Sequence, residues 1–414
     1  MARTHPNALP PDGSGPALRR RLGLFLLSCY GAGTIIGAGI YVLVGSVIAA
    51  AGDAAPLAFL LAGIIAALTG LSYAELSARY PEAAGAAAYV AQGLRSQRLA
   101  QAVGAAAALV AVVAAASIAR GSASYLIDFL PLPPWLLAAS VVVFFTAIAC
   151  LDVRESVGLA ALITLVEVGG LLLVILAGAH HLDALPERAA TLIPSSAAGL
   201  AGLAAGAFLA FFAYSGFETI VNMAEETRDP ARTMPRAILI ALALAGALYI
   251  AVVTIVLLAL PPERLAAGDT PLALVVADSG WFPSRVLSAI AVIATTNGVL
   301  VEVLMVSRLL YGMARRGWAP GFLAEVAPRT RTPVRATLAA GAMAAVLAVA
   351  APIETLASAT SALFLLVFGF VNLALWRLHR RSGHRGHTGF RAPRWVPPAG
   401  CVLSFALILG LFAA

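Results

Sequence analysis

Long apolar stretches alternate with short polar stretches along the whole chain. Eleven of the apolar stretches approach the length of about 20 residues that a membrane-spanning helix needs. A membrane β-barrel would instead show segments of about ten residues with alternating polarity, and the chain shows none. The pattern predicts an all-α polytopic membrane protein with spans at roughly 22–49, 56–79, 99–127, 134–151, 155–179, 197–224, 235–260, 284–313, 334–351, 354–377 and 396–413.

The polar segments divide the chain into regions. We predict a disordered cytoplasmic N-terminus over 1–21 and a transporter-like core over 22–377, followed by a basic cytoplasmic loop over 378–395. A further membrane helix is expected in 396–414. Short helices outside the membrane are expected at 82–96, 270–280 and 319–327.

Composition supports a membrane protein. Hydrophobic residues make up 61% of the 414 residues and charged residues only 11%, whereas soluble domains carry about 25% charged residues. The three cysteines, Cys29, Cys150 and Cys401, lie in or beside apolar stretches without ligand spacing. They are interpreted as small apolar packing residues, and no metal or other cofactor is expected.

All 27 basic residues are arginines, and their placement predicts the orientation. If the N-terminus is cytoplasmic, 23 arginines lie inside, and four lie outside at Arg120, Arg188, Arg264 and Arg285. This asymmetry follows the positive-inside rule. The net charge of +7 is therefore explained by topology in a bacterial-type cytoplasmic (inner) membrane, and nucleic acid is not an expected partner.

Two spans carry small or polar residues at their centres. Span 1 contains GAGTIIGAGIYVLVG (31–45), and span 6 contains FFAYSGFETIVN (211–222). Each is the first of five spans, so 22–179 and 197–377 would have opposite orientations. Matching interrupted helices mark the binding site in inverted-repeat transporters. The alternative is that the glycines serve close helix packing.

Four motifs resemble the amino acid–polyamine–organocation (APC) superfamily. They are the span 1 motif, SYAELSARYPEAAGAAAYV (72–90), FFAYSGFETIVNMAEETRDPARTMPRAI (211–238) and VSRLLYGMARRGWAP (306–320). The resemblance implies a LeuT-type fold of five plus five helices, about 11 transmembrane helices in this chain, with helices 1 and 6 discontinuous. It also implies secondary active transport of an amino acid or related amine.

The resemblance also implies the substrate-binding residues. The unwound segment Ile36, Gly37, Ala38 and Gly39 would meet the substrate carboxylate, because free N–H groups at a half-helix N-terminus favour an anion. Carbonyl groups around Phe211, Phe212, Ala213 and Ser215 would accept from the α-ammonium. Phe212 and Tyr214 are candidates for an aromatic lid, with ordinary packing as the alternative.

Carboxyl groups within spans are candidates for ion coupling, because they are costly in a membrane. Glu167 lies in the middle of span 5, where several proton-coupled relatives in the superfamily have a lysine. We expect it to load and unload a proton; the alternatives are sodium ligation and pairing with an arginine. Glu218 is interpreted either as a proton-sensitive gate or as a structural partner of freed backbone groups.

Span 8 offers Thr295, Thr296 and Glu302. Its hydroxyl groups match the sodium position of sodium-coupled LeuT-type carriers, or they form helix–helix hydrogen bonds. Glu302 is either a second coupling carboxyl or an ion-pair partner. Elsewhere, Glu75 and Arg79 are predicted to form a surface ion pair at the end of span 2.

These observations predict a permease that imports an amino acid by proton symport with alternating access. An amino acid/polyamine exchanger, a sodium-coupled carrier and a channel-like protein remain alternatives. No catalytic or nucleotide-binding motif is found, so an enzyme is not expected. The expected partners are the substrate and the lipid bilayer, with the protein either a monomer or a homodimer.

Overall fold

The computed structural model describes residues 22–80, 85–150, 157–188, 191–261, 264–265, 270–280, 282–327, 330, 332–382 and 389–413. The predicted disorder of 1–21 lies outside these residues. Within them the chain is helical and forms no β-strand. The labelled helices are α1 Leu24–Ala51, α2 Ala55–Arg79, α3 Gly85–Leu94, α4 Gln97–Leu126, α5 Pro134–Cys150, α6 Val157–Gly178, α7 Ala197–Ala213, α8 Pro230–Ala259, α9 Pro271–Ser279, α10 Ser284–Arg315, α11 Val334–Ala350, α12 Ile353–Ser382 and α13 Val396–Ala413.

Seven stretches of the described chain are long and apolar enough to cross a membrane. One of them, Leu24–Arg79, contains both α1 and α2. Three shorter apolar helices are Pro134–Cys150, Val334–Ala350 and Val396–Leu409. The protein is therefore an all-α polytopic membrane protein, and its apolar helices coincide with the predicted spans. The inverted relation of two halves stays a prediction.

Helix α1 lies at the centre of the molecule and packs against α6, α7, α8 and α10. A second group of contacts joins α4 to α5, α10 and α12, and α12 in turn packs against α13. Large apolar side chains are exposed on the outer helices, among them Phe144, Leu172 and Val346. Such exposed apolar surface suits helices that face lipid tails.

The predicted basic loop begins too early, because α12 extends into it. The loop is predicted over 378–395, but α12 continues to Ser382. Basic residues in the last turn stabilise a helix end because they oppose its negative dipole. Two of them are also held by neighbouring elements: His379 contacts the carboxylate of Glu75 at 2.9 Å, and Arg381 donates to the carbonyl of Gly93 at 3.2 Å.

The predicted surface pair of Glu75 and Arg79 is in fact buried. The side chain of Glu75 has no exposed surface, and that of Arg79 is 10% exposed. The Arg79 guanidinium lies 2.5 Å from the Glu75 carboxylate, and the backbone N–H of Ala392 donates to the same carboxylate at 2.8 Å. Glu75 therefore ties α2 to α12 and to the segment that precedes α13. Sequence spacing predicts the pair but not the elements that cover it.

Candidate functional site

The helix that begins at Ala197 breaks in the middle of the predicted sixth span. Helix α7 ends at Ala213, and a 3-10 segment runs over Phe217–Glu226. Gly216 between them has φ +118°, in the region that favours glycine. Its N–H donates to the Glu218 carboxylate at 2.9 Å. The sequence prediction of a break in this helix is confirmed.

The carbonyl groups at the break already accept hydrogen bonds from other groups of the protein. The Tyr249 hydroxyl on α8 lies within hydrogen-bond reach of the carbonyls of Ala213 (2.9 Å) and Ile35 (2.7 Å). The carbonyl of Phe212 accepts from the Ser215 hydroxyl at 2.6 Å, and that of Phe211 accepts from the Tyr214 N–H at 3.1 Å. Tyr249 thereby links α1, α7 and α8 at the break. A substrate ammonium would have to compete with these donors.

The predicted break in the first span is wrong for this structure. Helix α1 runs without interruption over Leu24–Ala51, so the N–H groups of 36–39 are bonded within the helix. The glycines instead allow the backbones of α1 and α7 to approach each other closely. A Cβ on Gly39 would lie 2.7 Å from the carbonyl oxygen of Ala213, and one on Gly216 would lie 2.6 Å from that of Thr34. The α1 backbone therefore packs directly onto the break of α7.

Glu167 of α6 projects into the glycine-lined face of α1. Its side chain is fully buried, and its Oε1 lies 2.9 Å from the place that a Cβ on Gly37 would take. The carbonyl oxygen of Ala294, on α10, lies 3.0 Å from the same place. Neither carboxylate oxygen has a hydrogen-bond partner among the described residues. Glu167 thus sits where α1, α6 and α10 meet.

The other candidate coupling residues lie on α10 and on the 3-10 segment. Thr295 and Thr296 donate to carbonyls of their own helix, at 2.7 Å to Ala291 and 2.5 Å to Val292. Glu302 is 8% exposed, and its Oε2 has no partner in the described part of the chain. The threonine bonds stay within α10, which does not by itself favour a sodium site. The coupling roles of these residues stay predictions.

A cavity of about 650 Å³ lies between α3, α4, α10 and α12. Glu218 and Thr219 line it, and its lining continues along α10 to Arg308 and on to Arg316, directly after that helix. Its volume falls in the range of roughly 300–1,000 Å³ that ligand sites occupy. Aromatic side chains of Tyr30, Tyr73, Trp318, Phe364 and Phe368 complete much of the wall.

The predicted substrate-binding residues lie beside this cavity rather than on its wall. None of those described by the structure lines it, and the Ala38 side chain lies outside the described part. Phe211 packs edge-on against Phe368, and Tyr214 packs edge-on against Tyr249. Phe212 is fully buried. In this conformation neither Phe212 nor Tyr214 covers the cavity, and the lid role stays a prediction.

Sequence reasoning misses Tyr249 and the cavity-lining arginines. In the sequence Tyr249 is one residue of an apolar span, although a hydroxyl in the middle of a span needs a partner. Arg308 contributes there only to the predicted orientation. Among the described residues, no group of three or more His, Cys, Asp or Glu side chains is placed to hold a metal ion.

A family model described as "Amino acid permease" matches residues 22–414. The chain belongs to this amino acid permease family. It is 34% identical over 413 residues to an uncharacterized transporter of Mycobacterium tuberculosis, covering 98% of this chain and 90% of the relative. A methylthioribose transporter of Bacillus subtilis is 31% identical over 410 residues, covering 94% of this chain and 87% of the relative.

Plant relatives are similar over a smaller share of their length. Cationic amino acid transporter 4, vacuolar, of Arabidopsis thaliana is 32% identical over 409 residues, covering 94% of this chain and 65% of the relative. The chain spans between 58% and 65% of the length of three such plant relatives. The family and the names of these relatives indicate membrane transporters, not enzymes. They agree with the APC resemblance found in the sequence.

Proposed function

We propose that the chain is a secondary active transporter that imports an amino acid by proton symport with alternating access. Its place would be the bacterial-type cytoplasmic membrane, with a cytoplasmic N-terminus. The observation that carries the coupling part of the proposal is Glu167, a fully buried carboxyl with no hydrogen-bond partner among the described residues. An isolated ionised carboxylate is very costly in such surroundings. A proton or another cation relieves that cost.

The position of Glu167 supports a role in coupling. It contacts α1 beside Gly37, and α1 packs onto the break of α7, where the substrate groups are predicted to bind. A change in the charge of Glu167 therefore acts on the helix that would hold the substrate. Coupling requires that the ion interact differently with the two conformational states, and the contact between Glu167 and α1 offers a way for the proton to do so.

A cationic amino acid is the first substrate to test. Several relatives are named cationic amino acid transporters. In this chain Glu218 and Glu302 each keep a carboxylate oxygen without a partner among the described residues, and Glu218 lines the cavity. Two such carboxylates favour a positively charged side chain. The relative named for methylthioribose makes a sugar-like substrate the competitor to include.

Concentrative uptake by purified protein in proteoliposomes tests the proposal. We expect radiolabelled L-arginine to accumulate above its external concentration when the lumen is made alkaline, and the accumulation to collapse with a proton ionophore. Uptake that needs amino acid on the opposite side, at any proton gradient, would make the protein an exchanger. Uptake that requires a sodium gradient would indicate sodium coupling. Movement only down the L-arginine gradient would favour a channel-like protein.

A further inference from the structure

The cavity is lined by Glu218 and, toward the C-terminal end of α10, by Arg308 and Arg316, which define its basic end. The lining follows α10 from Val301 to the end of the helix and continues to Arg316, directly after it. Fifteen residues of α-helix rise about 22 Å, which is longer than a single amino acid. The cavity therefore has room for binding at more than one level. Its basic end lies at the end of α10 that is predicted to face the cytoplasm.

Three side chains at the basic end have hydrogen-bond donors without an acceptor in the described part of the chain. Arg308 and Arg316 are exposed, and neither belongs to an ion pair between described residues. The indole N–H of Trp318 is buried without a partner, although the indole can only donate. All three side chains line the cavity. Donors that line one cavity without an acceptor suit a ligand that brings one.

The end of α10 holds Arg316 and Trp318 in place. The guanidinium of Arg316 lies over the ring of Trp318, 5.4 Å from its centroid. The backbone turns back after Gly317, at φ +71°, and the N–H of Trp318 donates to the carbonyl of Met313 at 2.8 Å. An arginine that already stacks on an aromatic ring is restricted before binding, so it loses less conformational freedom when a ligand binds. The basic end is thus partly ordered before any ligand arrives.

We propose that Arg308, together with Arg316 and the Trp318 indole, binds the α-carboxylate of the amino acid inside this cavity. The cavity is then a second substrate site on the transport path, separate from the residues predicted to bind at α1 and α7. Arginine binds carboxylates through two parallel hydrogen bonds. This inference rests on the proposed amino acid transport.

Transport measured separately from each face tests the second site. Everted and right-side-out membrane vesicles would take up radiolabelled L-arginine through the unaltered protein, Arg308→Gln, Arg308→Lys, Trp318→Phe and the control Arg377→Gln. Arg377 is exposed on α12 at the same end of the molecule and does not line the cavity. Its replacement removes an equal charge from the same face.

We expect Arg308→Gln to raise the half-saturation concentration at least about threefold, the loss of roughly one charged contact, on the face that carries Arg308. The opposite face should be unchanged. Trp318→Phe should give a smaller rise on the same face, Arg308→Lys should restore part of the affinity, and Arg377→Gln should match the unaltered protein. Equal values for Arg308→Gln and Arg377→Gln, or a rise on both faces, would overturn the second site.

The lipid composition of the membrane distinguishes an amino acid carboxylate from a lipid headgroup as the ligand of these arginines. If the effect of Arg308→Gln disappears in proteoliposomes of purely zwitterionic lipid, the arginines hold anionic lipid headgroups and the proposal is wrong. If the effect persists there, the carboxylate assignment stands. Absence of amino acid uptake by the unaltered protein would instead contradict the proposed function itself, because the second site is defined by that transport.

Discussion

Buried carboxylates in this protein differ in their partners, and the difference separates structural from functional candidates. Glu75 is held by Arg79, by His379 and by the N–H of Ala392. Glu218 accepts one backbone N–H. Glu167 has no partner among the described residues. A fully paired carboxylate stabilises one arrangement, whereas an unpaired one needs a proton or a cation from elsewhere.

We predict that Glu75→Gln destabilises the protein. The amide can still accept from Ala392, but the Arg79 guanidinium is left nearly buried without a counter-charge. Breaking a buried pair costs about 3 kcal/mol, and thermal denaturation in detergent should show a clearly lower midpoint.

Glu325→Gln is the matched control for Glu75→Gln. Glu325 pairs with Arg335 at the surface, with its side chain 57% exposed. An exposed pair contributes less than about 1 kcal/mol, so its midpoint should stay near that of the unaltered protein. Equal shifts for the two variants would refute the structural role of Glu75.

At the scale of helices, the decisive feature is the contact between α1 and the break that follows α7. The break is predictable, because Ser215 and Gly216 together with Glu218 interrupt an apolar stretch. The continuity of α1 is not predictable, because glycine permits both the unwinding of a helix and the close approach of two helix backbones. Only the neighbouring Ala213 decides between these uses, and the sequence does not place Ala213 against Gly39.

This contact predicts that Gly39→Ala is destabilising. The new Cβ would lie 2.6 Å from the Cβ of Ala213 and 2.7 Å from its carbonyl oxygen, and overpacking of this kind costs about 1–3 kcal/mol. Gly169→Ala is the control, because Gly169 lies within α6 with nothing within 4 Å of a new Cβ. It should be neutral or stabilising by up to about 1 kcal/mol. The same thermal response for both would show that α1 and α7 are not tightly packed.

The break itself allows a second comparison. Gly216→Ala combines an unfavourable φ of +118° with a Cβ 2.6 Å from the Thr34 carbonyl oxygen. Gly280→Ala has a similar backbone demand, at φ +68°, but open space around the Cβ. A left-handed conformation costs about 1–2 kcal/mol for alanine, so Gly280→Ala should lower the unfolding free energy by that amount. Gly216→Ala should lower it further; an equal loss would mean that Thr34 does not restrict the break.

At the scale of the whole molecule, the helices follow from apolar length, while the site depends on elements distant in sequence. Spans are predictable because a bilayer requires about 20 apolar residues in each helix, a local property. The cavity combines residues from α1, α2, α3, α4, α10 and α12, so no single stretch reveals it. Glu167 is predictable as a costly carboxyl in a span, but its contact with Gly37 requires the structure.

The proposed transporter depends on three features: the Glu167 carboxyl on α6, the close-packed helix α1 and the cavity lined by Glu218 and two arginines. In the proposed mechanism Glu167 is the group that carries the proton that drives uptake. Glu167→Gln keeps the shape of the side chain but cannot release or take up a proton in this way. Glu187→Gln is the control, because Glu187 is an exposed carboxylate shortly after the same helix.

The most direct measurement is L-arginine accumulation in proteoliposomes under an imposed proton gradient, over a range of external pH. For Glu167→Gln we predict that the accumulation driven by the gradient is lost while exchange of labelled for unlabelled L-arginine continues. Glu187→Gln should behave as the unaltered protein at every pH. Gradient-driven accumulation by Glu167→Gln with an unchanged pH dependence would contradict the role of Glu167 as the proton carrier.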